Sequence, residues 1–190
     1  MGKRQTVAHD VTFISVCVAL IVLCSWISIP FFIHYTLQTF AIFLIAAISD
    51  WKRSLLSVLV YLMLGIIGVP VFAGFQSGIS ALLHATGGYL VGFVGSAIII
   101  SLATNHWGRT RLVMIVSMLI GLLFCYATGT LWFIFVYAQN TERVSLWTAI
   151  STCCLPFFIP DLVKILLATT LAPRIYPRIH YLRKTSGGTV

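Results

Sequence analysis

Hydrophobic residues along the chain gather into six long segments that short, more polar connections separate. The segments are residues 11–29, 37–49, 55–69, 81–103, 112–135 and 146–171, the last interrupted by Pro156 and Pro160. A membrane-spanning helix needs roughly 20 apolar residues, and a bundled helix can be shorter. Because backbone groups in lipid must be hydrogen-bonded internally, these lengths predict an all-α integral membrane protein, a bundle of six transmembrane helices.

The second and third segments are short for a span. We therefore expect these helices to be tilted or partly buried, or the bilayer around them to be thin. No linker and no repeat divides the chain, so residues 1–190 are predicted to form a single six-helix membrane domain. Composition agrees, since 59% of the residues are hydrophobic and 8% are charged, where a soluble domain has roughly 25% charged residues.

The basic residues are concentrated in alternate connections and account for most of the formal net charge of +8. They are Lys3, Arg4, Lys52, Arg53, Arg109, Arg111, Arg174, Arg178, Arg183 and Lys184, whereas the remaining connections hold only Arg143. Basic residues near span ends favour the cytoplasmic side, which predicts that both the N- and C-termini are cytoplasmic. The charge is thus explained by topology, and no nucleic-acid partner is expected.

Catalytic and metal-binding motifs are missing from the sequence. The five cysteines, Cys17, Cys24, Cys125, Cys153 and Cys154, all lie in apolar segments and form no C-x-x-C pair, which is typical of small core residues. Zinc-protease, nucleophile-elbow and phosphate-loop patterns do not occur either. We therefore expect no cofactor, no metal and no enzymatic activity, including ATP hydrolysis.

Asp161 and Lys164 are the clearest candidates for a functional site. Ionisable residues inside a membrane are costly and usually functional. At a spacing of three they share one helix face, and Pro160 just before Asp161 suits a first helical turn. A pair of opposite charges can serve a ligand that carries both N–H donors and an anion. The alternative is that the two side chains only neutralise each other.

Three further segments carry candidate pocket residues. The connection 68–80 is uncharged and glycine-rich and contains Phe72, so it either lines a cavity or rests on the bilayer. The segment 83–93 offers Tyr89 as an amphipathic wall, while Gly88 and Gly92 form a G-x-x-x-G that favours helix packing over a ligand contact. His84 fits a satisfied core histidine.

The first outer connection, residues 26–39, is crowded with aromatic side chains that include Trp26 and Phe31. Such aromatics usually form an interfacial belt, but here they are dense enough to act as a lid over a pocket. Thr36, Gln38 and Thr39 would then add hydrogen-bonding groups at its mouth.

Taken together, these segments resemble one family, BioY, the biotin-specific substrate-binding (S) component of energy-coupling-factor (ECF) vitamin transporters. The matching blocks occur in the family's order: 35–39 (Tyr-Thr-Leu-Gln-Thr), 68–74 (Gly-Val-Pro-Val-Phe-Ala-Gly), 86–93 (Thr-Gly-Gly-Tyr-Leu-Val-Gly-Phe) and 155–164 (Leu-Pro-Phe-Phe-Ile-Pro-Asp-Leu-Val-Lys). Two departures are visible. His84 and Ala85 stand where the family has Gly-Pro, and Pro160 runs directly into Asp161 where a glycine often intervenes.

The resemblance implies high-affinity capture of biotin at a bacterial cytoplasmic membrane. Asp161 would accept the ureido N–H groups and Lys164 an anionic or carbonyl oxygen, or partly the reverse. The substrate-binding set implied is Asp161, Lys164, Tyr89, Gly88, Gln38, Thr36, Phe72, Phe31 and Trp26, with the aromatic residues covering the apolar part of biotin and Thr36, Gln38 and the Gly88 backbone completing the polar contacts.

Uptake would need an energy source, which the resemblance also implies: a transmembrane coupling (T) subunit and two cytoplasmic ATPase subunits. Family members dock the T subunit through small residues on the first helix, for which Ser15 and Ala19 are the nearest match here. Three other readings remain: an S component for another vitamin, a ligand-free membrane assembly subunit, or an intramembrane enzyme that uses Asp161, Lys164, His84 and Tyr89.

Overall fold

The computed structural model describes residues 2–29, 35–140 and 146–186. Within these ranges the chain forms eight α-helices and one two-stranded antiparallel sheet. The helices are α1 (Gly2–Trp26), α2 (Gln38–Ile48), α3 (Trp51–Ile66), α4 (Ile79–Leu83), α5 (Gly87–His106), α6 (Arg111–Asn140), α7 (Leu146–Cys153) and α8 (Leu155–Ser186). The strands are β1 (Ser28–Ile29) and β2 (Tyr35–Thr36), paired Ser28 with Thr36 and Ile29 with Tyr35, and a 3₁₀ helix covers Ala73–Phe75.

Four of the described helices are long and apolar enough to cross a membrane, over Val7–Trp26, Gly87–His106, Arg111–Val136 and Leu155–Ile179. This confirms a predominantly helical fold with several membrane-length helices. The predicted second and third spans correspond to α2 and α3, which have 11 and 16 residues. They are helical as predicted but are shorter than a full bilayer crossing.

The short α2 is buried on all sides by its neighbours. Every residue from Ala41 to Ile48 is buried, and α1, α3, α5 and α8 all pack around this helix. A helix that is apolar all round belongs in the interior of a bundle. Of the explanations offered for the short second segment, burial in protein is the one that the structure shows.

In two of the predicted spans the structure has a break between two helices. Segment 81–103 begins in α4, but the chain leaves the helix at residues 84–86, and α5 starts at Gly87. In segment 146–171 the break lies at Cys154, between α7 and α8, whereas Pro156 and Pro160 both lie inside α8. The break thus lies two residues before Pro156, which stands in the first turn of α8, and the expected interruption at Pro160 is wrong.

Pro160 in α8 is accommodated by a partner on another element. Pro160 has no N–H to donate, so the helix carbonyl four residues earlier loses its usual bond. That carbonyl belongs to Pro156, and the hydroxyl of Tyr35 on β2 donates a hydrogen bond to it. Helices in membranes tolerate proline when a neighbouring group satisfies the freed carbonyl in this way.

The contact between α5 and α6 depends on glycine. A Cβ atom added to Gly88 would overlap the Trp132 side chain and the Thr128 carbonyl, and one added to Gly92 would meet Thr128 and Cys125. Close approach of the two helices also lets the Ser96 hydroxyl donate to the Gly121 carbonyl at 2.6 Å. The G-x-x-x-G at Gly88 and Gly92 is thus a packing face, as expected for small residues between membrane helices.

A buried arginine, Arg53, and a half-buried one, Arg109, join helices at one end of the bundle, which we call the arginine end. On α3, Arg53 reaches Asp10 on α1. From the α5–α6 connection, Arg109 donates to the Ala47 carbonyl at 2.9 Å and lies 4.0 Å over the Tyr176 ring. Burial lowers the pKa of the Arg109 guanidinium, against the opposing effects of Tyr176 and Asp50, yet an arginine remains charged at any physiological pH.

Candidate ligand-binding cavity

A cavity lies at the opposite end of the bundle from the arginine end, between α2, α5, α6, α8 and the α3–α4 connection. Its empty volume is about 770 Å³ when the space open to solvent at its mouth is counted. Polar groups from α2 and α8 face it from one side, and aromatic rings form much of its wall. Its polar lining includes Thr36, Gln38, Thr39, Gln76, Thr86, Asp161 and Lys164, and its aromatic lining includes Phe72, Tyr89, Phe93, Tyr126 and Phe157.

Asp161 and Lys164 lie side by side on α8 with their charged groups buried at the cavity. The Lys164 Nζ atom is 2.7 Å from Asp161 Oδ1, and the two residues are 8% and 3% exposed. Nζ also donates to the Thr36 carbonyl at 2.6 Å and to the Thr39 hydroxyl at 3.1 Å. An ammonium has three protons, so these three bonds account for all of them.

The Asp161 carboxylate is held on both oxygens. Oδ1 accepts from Lys164 and from the Thr39 hydroxyl at 3.0 Å, while Oδ2 accepts from the Tyr126 hydroxyl at 2.6 Å. A buried charge is tolerated when it is paired and hydrogen-bonded. The two charges neutralise each other, as one reading of the sequence predicted, and they also face the cavity. A ligand would therefore exchange hydrogen-bond partners instead of meeting a bare charge.

The cavity mouth at the start of α2 contains a second, uncharged network. The Thr36 hydroxyl donates to Gln38 Oε1 at 3.0 Å, and Gln38 Nε2 donates to the Tyr61 hydroxyl at 2.6 Å. That hydroxyl in turn donates to the Val71 carbonyl at 3.3 Å. Tyr61 thus connects the start of α2 to the α3–α4 connection and fixes how the Gln38 amide is turned.

The α3–α4 connection forms part of the cavity wall through Phe72. The Phe72 side chain is buried, and its ring packs edge-on against the Tyr61 ring with 5.6 Å between the centroids. Gly68 and Gly78 have φ of 106° and 85° there, a conformation that favours glycine. Trp26 does not line the cavity. It holds this connection from outside, donating from Nε1 to the Pro70 carbonyl at 3.0 Å and packing 5.2 Å from the Phe75 ring.

A ring from α8 closes another part of the wall. Phe157 lines the cavity and stacks on Tyr35, with 4.2 Å between ring centroids. The same Tyr35 bonds the Pro156 carbonyl, so the first outer connection and the start of α8 are held together at this point. Phe31 lies outside the described residues.

The structure thus brings together six of the residues predicted to bind a ligand: Thr36, Gln38, Phe72, Tyr89, Asp161 and Lys164. Gly88 is not among the residues that line the cavity, because it packs against Trp132 on α6. His84 is exposed, so the expectation of a core histidine is wrong.

Ser15 and Ala19 are exposed on α1. Among the side chains described, no cluster of three or more histidine, cysteine, aspartate or glutamate residues could hold a metal ion.

Sequence reasoning missed Tyr126 and Phe157. It placed Thr39 at the mouth of the pocket, where the structure has it, but not as a partner of the charge pair. A signal for Tyr126 existed, since a hydroxyl in the middle of an apolar span needs a buried partner. What the sequence lacked was the identity of that partner, because Tyr126 and Asp161 are on different helices. Phe157 carried no signal beyond membership of an aromatic run.

Comparison with known proteins identifies relatives over nearly the whole chain. The model of the BioY family matches residues 1–181. A biotin transporter BioY of Thermotoga maritima is 37% identical over 83% of this chain and 89% of its own length. A probable biotin transporter BioY of Pyrococcus horikoshii is 34% identical over 88% of this chain and 96% of its own length. Both names describe transporters and neither an enzyme, in agreement with the prediction that this chain is not an enzyme.

A solved crystal structure, that of the S-component for biotin from an ECF-type ABC transporter, superposes with a TM-score of 0.82. The match covers 92% of this chain and 94% of the other, at 22% sequence identity. At that identity the likeness establishes the fold alone. The fold and the family model together confirm the resemblance drawn from the sequence.

Proposed function

The chain belongs to the BioY family, and on that premise we propose that it captures biotin as the S component of an ECF-type importer in a bacterial cytoplasmic membrane. The observation that carries the proposal is the neutral but exchangeable pair, Asp161 and Lys164, buried at one wall of an aromatic-lined cavity. Biotin has a ureido group with two N–H donors and a carbonyl, an apolar sulfur ring and a carboxylate, so it offers donors, acceptors and apolar surface together.

In the proposed complex the ligand replaces some of the bonds that hold the charge pair in the empty protein. Asp161 accepts from the ureido N–H groups, and Lys164 turns from the Thr36 carbonyl or the Thr39 hydroxyl towards a ligand oxygen. Each lost bond is matched by a new one, so the charges stay satisfied throughout. Truncated ligands lacking these groups would leave buried polar atoms unpaired, which is how such a site gains specificity.

The apolar part of the ligand is covered by Phe72 and Tyr89, with Thr36 and Gln38 completing the polar contacts at the mouth. We keep Phe31 in this proposal as a lid residue of the first outer connection. Trp26 acts indirectly, since it contacts Pro70 and Phe75 in the α3–α4 connection and holds that connection in place. A wall of rigid aromatic rings with few polar groups is the usual design of a small-molecule pocket.

We further propose six membrane spans, with α2 and α3 as short ones, and both termini in the cytoplasm. Support comes from the position of Arg53 and Arg109 at the end opposite the cavity, together with the exposed Lys52 and Arg111 at that end. Basic residues favour the cytoplasmic side, so the cavity would face outward, where biotin is captured.

Energised uptake in this proposal requires a T subunit and two ATPase subunits. Ser15 and Ala19 face away from the bundle on α1 and are available for docking the T subunit. The apolar residues around them, such as Val16, face membrane lipid when no partner is bound. Docking through small residues lets two helix backbones approach closely.

The first test is isothermal titration of the purified protein with biotin, with thiamine and riboflavin as controls. Saturable binding of biotin alone, near one molecule per chain, is the expected result. Binding of a different vitamin would leave the importer class and replace the substrate. A folded protein that binds none of the three would contradict ligand capture and favour an assembly subunit.

Asp161→Asn tests the site itself. The amide keeps the shape but loses the charge and one acceptor, so we expect biotin binding to weaken by about 1–3 kcal/mol. Asp10→Asn removes the same charge at the arginine end and serves as the matched control, with unchanged affinity expected. Parent-like affinity in both Asp161→Asn and Asp161→Ala would remove Asp161 from the binding site.

A further inference from the structure

Helix α1 packs one side against the bundle and exposes the other. Helix α1 buries Cys17, Val18, Ile21 and Cys24 against the bundle, and it exposes Val11, Ser15, Val16, Ala19 and Leu23. Both sides of the helix are largely apolar, so the hydrophobic effect alone does not choose between them in lipid. Polar contacts distinguish the two sides of the helix, at Trp26 near the cavity end and at Asp10 at the arginine end.

Arg53 on α3 supplies the contact at Asp10. It is 7% exposed, and its guanidinium pairs with the Asp10 carboxylate on α1. The same guanidinium lies 5.4 Å over the Phe13 ring, one turn further along α1. It is also 3.8 Å from Asp50, the residue that caps the start of α3. Arg53 is therefore fixed on α3 by Asp50 and reaches across to α1 through Asp10 and Phe13.

The helical repeat connects this contact to the opposite face of α1. With about 3.6 residues per turn, Cys17 lies about two turns after Asp10 and on the same side, in agreement with its burial. Ala19 lies about two and a half turns after Asp10 and therefore on the opposite side, and Ser15 is close to it. Holding Asp10 against Arg53 turns Ser15 and Ala19 outward.

We propose that Asp10 and Arg53 are positioning residues that set the rotation of α1 and so present the Ser15 and Ala19 face to the T subunit. The inference rests on the proposed function for the identity of that partner. Neither residue lines the cavity, so the pair acts on docking and not on ligand capture. Its loss would leave a chain that still binds biotin but assembles poorly with the energising subunits.

The rotation is tested directly with a nitroxide label at Ala19→Cys, in a full-length chain whose five native cysteines are replaced by serine or alanine, reconstituted in vesicles. Power saturation with oxygen measures how far the label is exposed to lipid. We expect high exposure in the parent, a clear loss in Asp10→Ala, and recovery in Asp10→Glu, which restores the pair. Unchanged exposure in Asp10→Ala would overturn the proposal.

Asp50→Asn is the matched control. It removes one negative charge beside the same arginine, but asparagine keeps the helix cap and the Asp10 contact stays in place. We expect parent-like label exposure there. A loss equal to that in Asp10→Ala would mean that the net charge around Arg53, and not the link to α1, sets the rotation, and would overturn the proposal.

The docking consequence is read by co-expressing the unlabelled chain with the T subunit and both ATPases and measuring how much T subunit co-purifies. Asp10→Ala should lose most of it, while Asp10→Glu, Asp50→Asn and the biotin affinity of all three remain like the parent. Full co-purification with a rotated α1 would overturn the docking step. A parent that binds no biotin would instead contradict the proposed function, with the label still reporting on the rotation.

Discussion

Two ion pairs among the described residues lie at opposite ends of the bundle and differ in what they connect. Asp161 and Lys164 are both buried, whereas at the arginine end Arg53 is buried and the Asp10 side chain is 44% exposed. Asp161 and Lys164 are three residues apart on one helix and border a cavity. Asp10 and Arg53 are on different helices, and an aromatic ring packs over the guanidinium. The first pair cannot by itself hold two helices together, whereas the second does so directly.

The groups that hold each ion pair in place also differ between the two ends. The cavity pair is held by hydroxyls and one carbonyl from neighbouring elements, at Thr36, Thr39 and Tyr126, all groups that can release one bond and form another. Arg53 is held between two carboxylates. Burial of a charge therefore does not identify a binding site. Adjacent open space and partners that can be exchanged do.

Among the variants that test this difference between the two ends, Lys164→Met has the largest expected effect. Removing one partner of a buried pair costs about 3–5 kcal/mol because the other charge is left without compensation. We expect biotin binding to weaken by roughly 100-fold or more, measured by titration. Arg53→Met should lower the thermal stability instead and leave the affinity of the folded protein intact. If both variants lose affinity equally, the division between the two ends is wrong.

Much of the fold was predictable because the signal is local. Apolar segments identify the helices, and an aspartate with a lysine in the last segment stands out against lipid. The break at residues 84–86 and the continuation of α8 through Pro160 were not predictable, since they depend on tertiary packing and not on the hydrophobic pattern. Pro160 shows why: its helix continues because Tyr35, far away in sequence, satisfies the carbonyl that proline leaves free.

The cross-helix part of the site was out of reach for the same reason. The sequence places Asp161 and Lys164 on one face, but which hydroxyls meet them depends on how α2 and α6 are rotated. The bonds from Thr39 and Tyr126 to Asp161 are therefore visible only in the folded protein. Asp10 and Arg53 are 43 residues apart, and neither position alone indicates that they pair.

Tyr126→Phe tests one hydrogen-bond partner of the cavity pair, and its expected effect is of intermediate size. Its hydroxyl donates to a carboxylate, and a hydrogen bond to a charged group contributes about 1.5–3 kcal/mol. We expect the empty protein to lose about that much stability, with biotin restoring part of it because a ligand N–H can take the vacated place at Asp161 Oδ2. Thermal unfolding with and without biotin measures both effects.

Tyr61→Phe is the matched control for that prediction. Its hydroxyl accepts from the neutral Gln38 amide and donates to the Val71 carbonyl, and a neutral hydrogen bond contributes about 1 kcal/mol. A comparable loss of stability is therefore expected, but with less recovery on adding biotin, because no charged group is left for the ligand to meet. Equal recovery of the two variants would mean that the charge on Asp161 does not distinguish its partner.

Thr39→Val has the smallest expected effect and tests whether the cavity pair is held redundantly. The hydroxyl accepts from Lys164 and donates to Asp161, but both charges keep each other at 2.7 Å, and Tyr126 still holds the carboxylate. Valine preserves the shape, so the loss in biotin binding should be about 1 kcal/mol, with Thr39→Ser close to the parent. A loss as large as that of Lys164→Met would show that Thr39 bonds the ligand itself, and that the pair depends on one hydroxyl as strictly as α1 depends on Arg53.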